Sequence, residues 1–147
     1  PNAKTKFEVT SDNFGRMQVR KGGETIFRYT SRDFAQEAPW TFCQWDDSWM
    51  METHDIVIVD GQILNHETGR DEIFGWHLLK GKPVYFARSG TKYSVFVDGK
   101  MLPIKYDDIS HYLCCGFHPY NPQTDGNTTK FSAQRNGVGY IVELSIE

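Results

Sequence analysis

Short apolar runs cut apart by glycine-bearing pairs constrain this chain more than any other feature. Trp76-His77-Leu78-Leu79, Val84-Tyr85-Phe86-Ala87, Tyr93-Ser94-Val95-Phe96-Val97 and Met101-Leu102-Pro103-Ile104 follow one another. They are separated by Lys80-Gly81, Ser89-Gly90 and Asp98-Gly99. Runs of this length suit strands and fall short of an ordinary helix. Glycine accepts positive φ, and a preceding Asp or Ser can bond back to the chain, so each pair reads as a tight hairpin turn. The pattern predicts an up-and-down antiparallel meander. Asp60-Gly61, Asn136-Gly137 and Gly22-Gly23 repeat this grammar between other apolar runs. The expected fold is all-β, an antiparallel meander of hairpin units. These would form propeller-like blades or a compact sandwich or barrel, within a single domain over residues 1–147.

Three stretches read differently. Residues 31–38 predict a short helix, capped by Ser31 and stopped before Pro39. Residues 106–109 predict one helical turn. Residues 116–129 hold Pro119, Pro122 and Gly126 with little apolar content, which predicts a long exposed loop.

Residues 81–109 carry more than turn chemistry. Gly81-Lys82-Pro83-Val84-Tyr85-Phe86-Ala87-Arg88 leads through Gly90 into Lys92-Tyr93-Ser94-Val95-Phe96-Val97-Asp98-Gly99-Lys100 and closes on Tyr106-Asp107-Asp108-Ile109. This segment resembles the repeats of bacterial WD40-like β-propeller proteins. Val59-Asp60-Gly61 shares the Val97-Asp98-Gly99 turn. Residues 132–142 echo residues 86–95, so the repeat length is roughly that of a four-stranded blade. The resemblance implies strand-built binding surfaces and no fixed catalytic residues. It also implies a departure: a closed ring needs at least four blades, and 147 residues supply about three. Either copies associate into a homo-oligomer, or the hairpins pack otherwise.

Charge narrows the classes of partner. There are 16 Lys and Arg against 19 Asp and Glu, a net charge of −3, which argues against nucleic acid as partner. No apolar run has the eighteen or so residues of a membrane helix. Cys43, Cys114 and Cys115 make an odd count and a poor disulfide framework. They read as buried free thiols of a reducing compartment, so the expected location is cytoplasmic.

The strongest candidate surface is aromatic. Residues 40–49 hold Trp40, Trp45 and Trp49 beside Asp46 and Asp47. Exposed indoles offer rigid, amphipathic contact area, and Asp47 could bond a polar group. If the segment is strand, Trp40 and Phe42 share one face while Trp45 and Trp49 share the other parity. At least one indole is then expected at the surface, the others filling the core. The expected function is a non-enzymatic binding module in which Trp40, Trp45, Asp47 and Trp49 recognise a partner protein or small polar ligand, with no cofactor.

Two alternatives stay open. His54, His66, His111 and His118 could serve a metal-binding domain or a metal-dependent hydrolase, with His77 and the adjacent acids nearby. The spacing around His111-Tyr112-Leu113-Cys114-Cys115-Gly116-Phe117-His118 fits no standard zinc finger, since adjacent cysteines diverge. Alternatively, open sheet edges could pair with copies of the chain, making it a self-assembling structural subunit. No nucleophile elbow or phosphate-binding glycine loop is present.

Overall fold

The glycine-bearing pairs fold as turn chemistry requires, with one correction: Ser89 is still strand and pairs with Lys92, so the turn expected at Ser89-Gly90 is Gly90-Thr91. The computed structural model describes residues 6–12, 16–29, 39–113 and 118–147. Gly22-Gly23, Asp60-Gly61, Lys80-Gly81, Asp98-Gly99 and Asn136-Gly137 each place both central residues at positive φ. That is the turn whose twist matches flanking antiparallel strands. The described residues are all-β, in antiparallel sheets of hairpin strands, and no sheet closes into a barrel. Among them, no helix is long and apolar enough to cross a membrane.

The chain divides into two compact units, Pro1–Thr68 and Gly69–Glu147. The first holds two sheets. Strands β1 (Phe7–Ser11), β2 (Met17–Lys21) and β3 (Glu24–Tyr29) form one in sequence order. Strands β4 (Thr41–Trp45), β5 (Ser48–Glu52), β6 (Val57–Val59) and β7 (Gln62–Ile63) form the next, followed by a short helix α1 (Leu64–Thr68). Phe7, Val19 and Tyr29 from the first sheet pack with Trp49, Met51 and Ile58 from the second. Burial pushes the Tyr29 hydroxyl up to about 12. The buried Asn65 of α1 ties the unit together, accepting from Val57 N at 3.2 Å and donating to Asp55 O at 2.9 Å.

The second unit begins with the predicted meander. Strands β8 (Glu72–Leu79), β9 (Lys82–Ser89), β10 (Lys92–Val97) and β11 (Lys100–Tyr106) pair in sequence order. Its other sheet is built on β14 (Thr128–Arg135). The short strands β12 (Asp108–Ile109) and β13 (Gln123–Asp125) share one side of β14, and β15 (Val138–Ser145) pairs along the other. Phe74, Phe86, Val95 and Tyr106 pack with Ile109, Phe131 and Ala133. Phe131 meets Phe86 edge-on at 4.9 Å and Tyr106 at 5.8 Å, geometry that aromatic quadrupoles favour.

Gly75 is required where it stands. Its φ is +64°, and a Cβ there would lie 2.7 Å from the Phe86 ring. The register between β8 and β9 shifts between Phe74 and His77, so this glycine makes a bulge.

Two other local expectations are corrected. Residues 106–109 form no helical turn. Tyr106 ends β11, and Asp108-Ile109 form β12, because Ile109 is drawn into the core opposite Ala133. The segment expected as a loop over 116–129 contains β13 and the start of β14; its residues 116–117 lie outside the described ones. Asn121 is buried there, accepting from Leu113 N at 2.8 Å and donating to Leu113 O at 3.0 Å. The predicted helix over 31–38 lies outside the described residues.

Candidate binding surface

The tryptophan hairpin separates the indoles. Asp46 and Asp47 form a two-residue turn, so Trp45 pairs with Ser48 and Gln44 with Trp49. Directly paired residues point to the same face. Trp49 therefore shares its face with Gln44, and its ring stacks on Phe42 at 6.1 Å. It is 3% exposed, a core residue. Trp45 points the other way and is half-buried. Trp40 is 39% exposed, and the Asp47 side chain is 89% exposed with Lys21 at 3.8 Å. The expected shared parity of Trp45 and Trp49 fails because the turn between them reverses the alternation. The hairpin leaves Trp40 and Asp47 at the surface, holds Trp45 half-buried on the face of Met50, and takes Trp49 into the core.

The histidines are spread through different local settings. His54 is exposed and lies 3.6 Å from Asp55. His66 is exposed on α1. His118 Nδ1 accepts from Tyr120 N at 3.3 Å. Among the described residues, none of these three joins a group of metal-ligating atoms. His111 stacks on Phe74 with ring centroids 3.5 Å apart, and its Nδ1 donates to Ile109 O at 2.7 Å. Cys114 and Cys115, expected beside it, lie outside the described residues. Cys43 is a free, half-buried thiol whose pKa is pushed up by burial.

His77 is held on both nitrogens. Nδ1 lies 2.7 Å from Gly75 O and Nε2 lies 2.7 Å from Thr129 Oγ1. A carbonyl can only accept, so Nδ1 carries the proton and Nε2 accepts from the Thr129 hydroxyl. Burial holds His77 below its ordinary pKa, with the Gly75 carbonyl pulling weakly the other way. Thr129 is fully buried, so this pair serves as a clasp between β8 and β14 and offers no accessible nucleophile.

The surface that sequence reasoning missed lies on the outer strands of the second unit. Val95, Leu102, Ile104, Tyr106, Phe131 and Val142 line a groove enclosing about 220 Å³, between β10–β11 and β14–β15. Ile104 in its wall is exposed, as are Val138 and Tyr140 on the face of β15 that carries Val142; Met101, paired with Phe96, and Ile141, paired with Ser132, are exposed on the opposite faces of their strands. Val138, Tyr140, Val142 and Leu144 pair with Arg135, Ala133, Phe131 and Thr129, so their side chains share the face of Phe131. Two facts fix the backbone direction. Residues flanking a two-residue hairpin turn bond each other, and Val138 flanks Asn136-Gly137 opposite Arg135. Beyond the strand, Ile146 N donates to Asn127 O at 3.4 Å. Even-numbered residues of β15 thus turn their amides toward β14. Gly139, Ile141, Glu143 and Ser145 turn theirs outward, to an edge that no described strand pairs.

The sequence signal for this edge was available in part. Residues 140–146 read as a strand, but no local pattern says which strand of a sheet is outermost. Compared with models of protein families, with curated proteins and with solved structures, the chain matches none.

Proposed function

We propose that the chain is a non-enzymatic protein-binding module that takes an extended segment of a partner along the outer edge of β15. Among the described residues each sheet has three or four strands, which supports reading the repeats as blade-type units. The carrying observation is the coincidence of an open backbone edge with an apolar groove. Main-chain bonding supplies affinity in strand addition, and alternate side chains supply selectivity. Magnitude supports a row of contacts over a single anchor. Fully burying one Ile or Val contributes about 1.5–3 kcal/mol, whereas association costs roughly 4–15 kcal/mol. The row on β11 and β15 together is of the right size; Trp40 alone is not. Trp40, Trp45 and Asp47 offer a second contact surface for a partner or polar ligand, supported by the exposure of Trp40 and Asp47.

An eight-residue peptide alternating Val and Thr tests the edge. Bound at β15, it slows hydrogen exchange at the amides of Gly139, Ile141 and Glu143. At a protein concentration where the chain is monomeric, saturating peptide with no slowing at these three amides overturns the reading. Trp40→Ala separates the two surfaces, since it leaves peptide binding at β15 unchanged.

A further inference from the structure

We infer that the strand this edge takes up is β15 of a second copy, paired antiparallel about a two-fold axis at Ile141. The inference rests on reading β15 as the binding edge and names its partner. Continuous faces require that residues opposite each other have the same parity. A two-fold axis across the pair must therefore pass at a residue. With the axis at Ile141, Val138 faces the copy's Leu144, Gly139 faces Glu143, Tyr140 faces Val142, and Ile141 faces itself.

Three properties of the strand favour this pairing. Ile141, at 66%, is the most exposed large hydrophobic among the described residues, and it sits on the axis where both copies bury it. The apolar row Val138, Tyr140, Val142 and Leu144 meets the same row reversed, so the apolar face continues across the junction. Glu143 is the strand's single charge. It meets Gly139, which has no side chain, and keeps Lys130 at 3.6 Å on its own sheet. No like charges are brought together. The backbone agrees as well: Ile141 with Ile141, and Gly139 with Glu143, are pairs whose amides and carbonyls already face outward. The strand pairs with β14 in unbroken register over eight residues, and it carries no proline or bulge of the kind that blocks edge-to-edge pairing.

The axis supplies a sharp experiment. Sedimentation equilibrium is run on the wild type, on Ile141→Lys, on Ile141→Glu, and on an equal mixture of the two variants. Ile141 is exposed on the outer face, and an unchanged melting temperature checks that both variants fold. The expected result is a wild-type dimer, at least tenfold weaker association for each variant alone, and a mixed dimer restored on combining them. Lysine meets glutamate at the axis in the mixed dimer alone. A monomeric wild type whose β15 amides are still slowed by the Val-Thr peptide overturns the self-pairing and leaves the binding edge standing. A dimer indifferent to both variants also overturns it. A monomer that ignores the peptide removes both readings.

Discussion

β11 and β15 are each an edge strand of one of the two sheets of the C-terminal unit, and they meet their surroundings in opposite ways. β11 carries Lys100, Lys105 and Pro103, and its pairing with β10 breaks register between Ser94 and Phe96. Leu102, Pro103 and Ile104 stand opposite Val95 alone, a bulge of two extra residues with one missing amide proton. β15 is regular throughout and holds Glu143 as its one charge. Charge, proline and bulging are the devices by which sheet edges avoid unwanted pairing. One strand of this unit has all three and its neighbour has almost none. Apolar exposure alone would not distinguish them, since Ile104 and Tyr140 are about equally exposed. The difference lies in the backbone: β15 offers an uninterrupted row of outward amides and carbonyls, and β11 does not.

The largest effect is expected beneath both strands. Phe131 is buried, meets Phe86 and Tyr106, and floors the groove. Phe131→Ala should cost about 3–5 kcal/mol, read by denaturant unfolding, and should loosen both edges together. A loss confined to β15 would break the picture of one shared core under two different edges.

Next comes transfer of the β11 device to β15. Ile141→Pro removes an outward amide proton without touching the bonds to β14, so the fold should tolerate it. Association, by sedimentation, should weaken at least tenfold, or about 1.4 kcal/mol. Ile104→Lys on β11 should change it less than twofold. Equal losses from the two variants would erase the contrast.

The clasp that positions β14 predicts a pH dependence. His77 has its folded-state pKa lowered by burial from an ordinary 6.5. The unfolded chain therefore takes up a proton before the folded one does. This contribution to stability is complete above about pH 6.5 and declines as pH falls from there toward the depressed folded value. The melting temperature of the wild type should drop more steeply between pH 7 and pH 5 than that of His77→Gln. Parallel curves would remove His77 from the account. Smallest of all, Pro103→Val should shift stability by no more than about 0.5 kcal/mol and should not create a second pairing edge, because the bulge remains.

The sequence was most legible where one residue type has one conformational option. Asp98-Gly99 and Asn136-Gly137 announce hairpins because their positive φ excludes most other residues. The meander of the third sheet followed directly. Side-chain parity was legible within a strand and not across a turn, which is why Trp49 was expected beside Trp45 and sits instead against Phe42. β13 escaped notice because Gln123-Thr124-Asp125 is exposed throughout and leaves no apolar period to read. His77 looked like one of several scattered histidines. Its partner Thr129 lies 52 residues away, and no local pattern joins them. The β15 edge was legible as a strand but not as an edge, because strand order is a property of the sheet.

Hydrogen exchange as a function of protein concentration tests the edge claim most directly. As concentration rises through the association range, the amides of Gly139, Ile141 and Glu143 should slow together, while those of Met101 and Ile104 on β11 keep their rates. Slowing on β11 with β15 unchanged, or association that leaves the β15 amides at their dilute rates, would contradict it.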